Sequence, residues 1–271
     1  MTVEQALASA SALGLTRLDA ALLLGHHLQR SREWLIAHPR TPVDARHFEA
    51  FAADCRRRAD GVPIAYLVGR REFMGLELTV TPDVLVPRPD TETLAQWAIE
   101  RLRASPTTAR PRVIDLGTGS GALALAIAAA CPQAEITATD NSAAALAVAR
   151  INGQRLGLDV RFALGDWWAA AGPERFELAV ANPPYIAAGD PHLAALHHEP
   201  QHALVASEGG LQALTQIIAA APRHLAGWLL LEHGSDQADD VQQLMARAGF
   251  SAIELRLDLS GLPRCTGGRS G

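Results

Sequence analysis

Residues 113–121, V-I-D-L-G-T-G-S-G, constrain this chain more than any other stretch. Val113, Ile114 and Leu116 form a short apolar run that breaks into glycines at 117, 119 and 121, and an Ala/Leu/Ile run follows over 122–130. The pattern predicts a buried strand, a tight turn and a buried helix. Glycine is required where the backbone takes positive φ or approaches another group closely. The helix starts where the turn ends, so its free N–H groups face whatever the turn holds.

Two ligand classes use such a turn. Pyrophosphate-binding turns space their glycines G-x-G-x-x-G. Here the spacing is one residue tighter, and Asp115 stands two residues before the first glycine. The segment resembles the first motif, D-x-G-x-G-x-G, of S-adenosylmethionine-dependent methyltransferases. Their ligand has no phosphate and carries a sulfonium on an amino-acid tail. A carboxylate at Asp115 suits a cationic ligand and repels a pyrophosphate. The alternative is a glycine-rich turn that holds no ligand.

The 271 residues leave room for two domains. A formal net charge of -5 gives no overall basic excess, which disfavours a duplex-DNA-gripping protein. Cys55, Cys131 and Cys265 are far apart and odd in number, which points to a reducing compartment and no zinc site. Glu4 with no early basic residue argues against a secretory signal. The longest apolar run, 121–131, is too short to span a bilayer. A cytoplasmic protein is expected.

Residues 1–70 read as helical. Thr2 and Gln5 form a capping box, and Thr16 caps a second helix with Leu18, Leu22, Leu23 and Leu28 on or near one face. Thr41-Pro42 predicts the start of a helix with Asp44 in its first turn, running through Phe48 and Phe51 to Arg58. The run Arg56-Arg57-Arg58 reads as favourable charge at a helix C-terminus. Residues 73–80 read as a hairpin or extended linker, and Pro82, Pro87 and Pro89 forbid a continuous helix before one that starts near Thr91. Strands at 136–139, 160–164, 176–181, 228–232 and 253–257 then alternate with helices at 142–156, 211–225 and 236–248. This predicts a largely parallel sheet covered on both faces. Ligands of such sheets sit beyond the carboxyl ends of the strands. The glycine turn, Asp140, Asp166-Trp167 and Asn182-Pro183-Pro184-Tyr185 all fall there.

The residue types fit one chemistry. Asp140, at the end of the next strand after the turn, can accept hydrogen bonds from ribose hydroxyls. Asp166 and Trp167 suit an adenine amino group and ring, although core packing is the plain reading for one of Trp167 and Trp168. In N-P-P-Y the prolines stop the strand and fix the backbone. The Asn182 side-chain carbonyl and the Pro183 backbone carbonyl can then receive the two hydrogens of one planar NH2 group, with Tyr185 stacked on it. His197, His198 and His202 read as loop histidines, without a ligand pattern for metal.

N-P-P-Y after a D-x-G-x-G-x-G domain resembles amino-group methyltransferases of DNA bases and of protein glutamine. V-L-V-P-R-P-D-T-E at 84–92, G-V-P-I-A-Y-L-V-G at 61–69 and L-L-L-E-H-G at 229–234 narrow the resemblance to the HemK/PrmC family, the peptide chain release factor glutamine methyltransferases. Glu199-Pro200 with Ala203-Leu204 also matches, and the likeness runs from about 16 to 262. It implies an α/β fold with a Rossmann-like seven-stranded methyltransferase domain at 91–271, a small N-terminal helical substrate-docking domain at 1–70 and a hairpin or extended linker at 71–90. It implies methyl transfer from S-adenosylmethionine to the glutamine amide in the Gly-Gly-Gln motif of class I peptide chain release factors. Gly117, Thr118, Gly119, Ser120, Gly121, Asp140, Asp166, Trp167 and Asn182 would then bind the cofactor. Asn182, Pro183, Pro184 and Tyr185 would bind the glutamine, with Asn182, Pro183 and Tyr185 as the catalytic set. No metal, membrane or nucleic-acid substrate is expected. The alternatives are a DNA amino-methyltransferase acting on adenine or cytosine and a non-catalytic nucleoside-binding adaptor. Residues 263–271 depart from the family pattern, and Arg264-Cys265-Thr266-Gly267-Gly268 predicts a short or frayed last strand.

Overall fold

The computed structural model describes residues 1–104 and 110–271. It divides into two compact units, Met1–Arg70 and Arg71–Gly271.

The first unit is helical: α1 Val3–Ala12, α2 Arg17–Leu28, α3 Arg32–Ala37, α4 Ala45–Ala59 and α5 Ile64–Val68. The Thr2/Gln5 capping box and the Thr16 cap form as expected. The start of α4 differs. Its cap is Asp44, whose Oδ1 accepts the His47 N–H at 3.0 Å, while Pro42 lies outside the helix in an isolated bridge with Thr2. Aspartate at the cap satisfies a free helical N–H that proline leaves unanswered. The apolar stripe of α2 also differs: Leu18 and Leu22 are exposed, and Ala20, Ala21, Leu23 and Leu24 are buried. These pack with Val3, Ala6, Leu35, Phe51, Cys55 and Leu67 in one core. The short helices α3 and α5 had no periodic signal to betray them. Two arginines of the run form ion pairs, Arg58 with Asp19 and Arg57 with Asp54, each at 2.9 Å.

From the unit boundary onward a hairpin forms, β1 Arg70–Phe73 and β2 Leu76–Thr79. Its two-residue turn, Met74-Gly75, has positive φ at both positions (50° and 78°), the turn that matches strand twist. Phe73 and Leu78 are fully buried against α6 Thr91–Ala104 and its neighbours. Then come β3 Arg112–Leu116, α7 Ala122–Ala130, β4 Glu135–Asp140, α8 Ala143–Leu156, β5 Val160–Leu164, β6 Phe176–Ala181, the short β7 Ile186–Ala187 and β8 Val205–Ala206, α9 Gln212–His224, β9 Leu225–Glu232, α10 Ala238–Arg247, β10 Ser251–Leu257 and β11 Pro263–Arg269.

Seven strands form one sheet in the order β10-β11-β9-β6-β3-β4-β5, with β11 antiparallel to both neighbours. Alternate residues of each inner strand feed opposite layers. Val113, Val180 and Leu230 pack with Trp97 and Leu125 on one face. Ile114, Ala179 and Leu229 pack with Leu214, Ile217 and Val241 on the other. The strand order reverses direction beside β3, which opens the crevice where such sheets hold ligands.

The last strand corrects the expectation of a frayed end. β11 is seven residues long and Cys265, Thr266, Gly267 and Gly268 are buried. A Cβ on Gly267 would stand 2.5 Å from Leu230 Cδ2 and 2.6 Å from Trp97 Cη2. The glycines that make a poor strand by composition are what lets this strand pass under α6.

Candidate active site

The glycine turn is tied to the neighbouring strand before any ligand is considered. Gly117 and Thr118 both donate their N–H to Thr139 O, at 2.9 and 2.8 Å. Gly117, Gly119 and Gly121 all have positive φ. A Cβ at Gly117 would lie 3.0 Å from Trp167 Cζ3, so the bare backbone makes room for the indole. Gly121 is the N-cap of α7 and does not line the cleft described below.

Asp115 is not a ligand-facing carboxylate. It is buried beneath the turn, where Oδ2 accepts the Thr118 hydroxyl at 2.6 Å and the Ala124 N–H at 3.2 Å. Burial pushes its pKa up to about 7, and the charge of Asp140 adds to the rise. Its position between Ile114 and Leu116 turns it toward α7, so it braces the turn from below. The expectation that it meets a cationic ligand directly is replaced by this role.

Asp140 does stand in the cleft wall. Its Oδ2 accepts Gly119 N–H and its Oδ1 accepts Ser142 N–H, both at 2.8 Å. Each oxygen keeps a lone pair for a further donor. The cleft is lined by Gly117, Thr118, Gly119, Ser120, Asp140, Asp166, Trp167 and Asn182. Trp167 and Trp168 separate as expected. The Trp167 indole lines the cleft and donates to Gln216 Oε1 at 3.2 Å, whereas Trp168 is buried and donates to Ile217 O at 2.9 Å.

Beyond β6 the prolines turn the chain into a second cavity, lined by Asn182, Pro183, Pro184, Tyr185 and Glu232. The two cavities share Leu85, Arg88, Asn182, Pro184 and Ala203. Asn182 Nδ2 donates to Thr91 Oγ1 at 3.1 Å, which leaves the carboxamide oxygen available as an acceptor. The Tyr185 hydroxyl donates to Glu232 Oε1 at 3.3 Å. Burial first, and the Glu232 charge second, raise the Tyr185 pKa above the ordinary tyrosine range. Gln237 Nε2 donates to Tyr185 O at 3.1 Å, and a Cβ on Gly210 would stand 2.1 Å from that same oxygen.

Residue-by-residue reading missed three partners of this turn, Thr91, Glu232 and Gln237, and the role of Glu199 in the wall beside it. Glu199 is buried, accepts Val86 N–H at 3.1 Å and pairs with Arg88, so it fixes the proline-rich segment in the shared wall. Glu232 closes an apolar strand with an acidic side chain, the same signal that marked Asp140. His202 lines the first cleft, while among the described residues no group of three metal-ligating side chains occurs. Nor is any described helix long and apolar enough to cross a membrane.

Comparison with known proteins follows the same outline. Residues 95–228 match the family model of the methyltransferase small domain, and residues 2–69 that of the PrmC N-terminal domain. The release factor glutamine methyltransferase of Bordetella pertussis is 50% identical over 260 residues, covering 94% of this chain and 95% of its own. That of Coxiella burnetii is 46% identical over 258 residues, covering 94% and 92%. Among solved structures, a methyltransferase from Pyrococcus furiosus aligns with a TM-score of 0.54 at 18% identity, over 73% of this chain and 90% of that one. A SAM-dependent methyltransferase from Agrobacterium tumefaciens gives 0.51 at 17%, over 74% and 69%. The structural likenesses speak for the fold. The relatives, near half identical over almost the whole length, speak for more: this chain belongs to the HemK/PrmC family of release factor glutamine methyltransferases.

Proposed function

We propose that this enzyme transfers a methyl group from S-adenosylmethionine to the side-chain amide nitrogen of the glutamine in the Gly-Gly-Gln motif of class I peptide chain release factors. The observation that carries the reading is the shared wall. Asn182 and Pro184 border both the glycine-turn cleft and the N-P-P-Y cavity, so a donor in one and an acceptor in the other would meet there.

The residues present fit the cofactor. The cleft takes an indole against bare backbone at Gly117, and the Asp140 oxygens retain capacity beside the turn. Gly117, Thr118, Gly119 and Ser120 would hold the amino-acid portion, Asp140 the ribose, Asp166 and Trp167 the adenine, and Asn182 the boundary with the acceptor. When bound, S-adenosylmethionine supplies an electrophilic methyl on a sulfonium.

The chain's own residues must make an amide nitrogen nucleophilic. Its lone pair is delocalised into the carbonyl. With Nδ2 committed to Thr91, Asn182 offers its oxygen to one amide hydrogen, and the Pro183 carbonyl offers itself to the other. Fixing both hydrogens orients the nitrogen, and these two oxygens would stabilise the positive charge that grows on it as the N–C bond forms and the S–C bond of the donor breaks, leaving a neutral thioether. One of the two amide protons then passes to solvent water, restoring a neutral amide. Tyr185 completes the cavity as a face for the planar group. The N-terminal helical unit, which adds no group to either cavity, serves to dock the release factor.

A DNA amino-methylase would have to flip its base and neutralise phosphates, and the net charge of -5 does not favour that. The test is transfer of radiolabelled methyl with purified release factor, duplex DNA and no acceptor in parallel. Label is expected in the release factor arm and at the Gly-Gly-Gln glutamine. Label in DNA, or none above the no-acceptor arm, overturns the reading.

A further inference from the structure

The glycine turn is poor in donors for an anion. Gly117 and Thr118 spend their N–H on Thr139 O, Gly119 gives its N–H to Asp140 Oδ2 at 2.8 Å, and Gly121 gives its N–H to Thr118 O at 2.9 Å. Asp83, Asp140 and Asp166 add three carboxylates to the cleft wall. These suit the sulfonium, the ammonium and the hydroxyls of S-adenosylmethionine. They repel the carboxylate on its amino-acid tail. Among the described residues that line the cleft, Arg88 is the only arginine or lysine.

The fold holds Arg88 in place. Pro87 and Pro89 flank it and confine its backbone. Its carbonyl accepts the Thr91 N–H at 3.2 Å. Its Nη2 pairs with Glu199 Oε1, and the other oxygen of that carboxylate accepts the Val86 N–H at 3.1 Å. The Glu199 side chain is 2% exposed, whereas that of Arg88 is 36% exposed. The guanidinium therefore stands on a buried counter-charge while remaining open to a ligand. A guanidinium has five N–H donors, and the contact with Glu199 leaves others for a second carboxylate.

We propose that Arg88, held by Glu199, receives the carboxylate of the cofactor's amino-acid tail. This rests on the reading of the glycine-turn cleft as the S-adenosylmethionine site. Arg88 also borders the N-P-P-Y cavity, where the carbonyl oxygen of the acceptor glutamine is the rival partner. A cation on that oxygen would draw the nitrogen lone pair deeper into the amide and oppose attack on the methyl. A carboxylate also gains more from a guanidinium than a neutral carbonyl does.

The test is calorimetric binding of two ligands to the full-length enzyme without release factor. One is S-adenosylmethionine and the other is decarboxylated S-adenosylmethionine, which keeps the nucleoside, the sulfonium and the amine. Wild type is expected to prefer the intact cofactor. Arg88→Gln should weaken S-adenosylmethionine about tenfold or more, as loss of a partly exposed charge-assisted bond does, and leave the decarboxylated ligand bound as before. Arg88→Lys should keep part of the preference. Arg88→Gln strands the buried Glu199 charge, so the double variant Arg88→Gln/Glu199→Gln, which keeps an acceptor for Val86, is measured beside it and should show the same selective loss. Binding of the decarboxylated ligand is the check on folding, and release factor affinity is measured in parallel. Equal weakening of both ligands in both glutamine variants overturns the proposal, as does an unchanged preference. Loss of release factor affinity with an unchanged cofactor preference puts Arg88 on the acceptor side and overturns it as well. A wild type that binds neither ligand overturns the functional reading instead.

Discussion

Asn182 has two chemically different ends, and Thr91 takes its NH2, which leaves the oxygen for the acceptor of the proposed reaction. Its contribution should therefore lie in the transition state rather than in substrate affinity. Asn182→Ala is expected to lower kcat by about 10²–10³ with little change in release factor binding, measured by single-turnover methyl transfer beside a binding assay. A near-normal kcat would leave the N-P-P-Y turn a purely structural device. In the proposed site Asp140 acts earlier, on the cofactor. Its oxygens also brace Gly119 and Ser142, so Asp140→Ala removes turn support together with the ribose acceptor. Calorimetry should show cofactor binding weakened by ~1.5–3 kcal/mol, and unchanged affinity would remove Asp140 from the site. Asp115 shows the limit of a motif. Its presence in D-x-G-x-G-x-G was legible, yet its direction was set by strand alternation, which buries it under α7. That burial has a sign. The unfolded carboxyl releases its proton near 3.8 and the folded one near 7, so between these values the folded state holds more protons and loses stability as pH rises. Asp115→Asn cannot titrate. Its melting temperature relative to wild type should therefore climb across that window, and a constant difference would contradict the assignment.

Among the elements, the ones with a strong period were legible and the ones with an exceptional backbone were not. The alternation of short apolar runs with Ala/Leu-rich helices announced a covered parallel sheet, and each strand-end cluster fell where the topology puts it. α3 and α5 have too few turns to show a period. In α4 a proline at 42 outweighed the better cap two residues later. β11 was misjudged because glycine was weighed for what it lacks. At Gly267 the absent side chain is the fit, since Leu230 and Trp97 occupy the space. Gly267→Ala should force one of these off its position and cost about 1–3 kcal/mol in chemical denaturation, as overpacking of a buried site does. A neutral result would mean that β11 has slack to move away from α6. Glu232 shows the opposite case, an element end whose signal was present and unread. An acidic residue after three leucines is as anomalous as Asp140 after β4, but no ligand motif pointed to it.

For the whole molecule, the decisive fact is that each unit owns its core. The buried cluster of the first unit runs from Val3 to Leu67, and both clusters of the second begin at or after Phe73. Every residue that lines the two cavities lies in the second unit, from Asp83 to Glu232. This separation makes the proposed division of labour testable. Residues 71–271 keep all seven strands of the large sheet and every hydrogen bond named around Asp140 and Asn182. Removal of residues 1–70 should thus leave cofactor affinity within about twofold, since no contact to the cleft is lost. Release factor affinity should fall about tenfold or more, because a docking surface acts by raising the effective concentration of the glutamine at the cavity. The kcat at saturating release factor should fall far less than kcat/KM, since the groups that orient the amide are untouched. Cofactor binding serves as the internal check on folding. If it holds while release factor affinity is also unchanged, the N-terminal helices do not dock the substrate, and the cavity wall alone must select it.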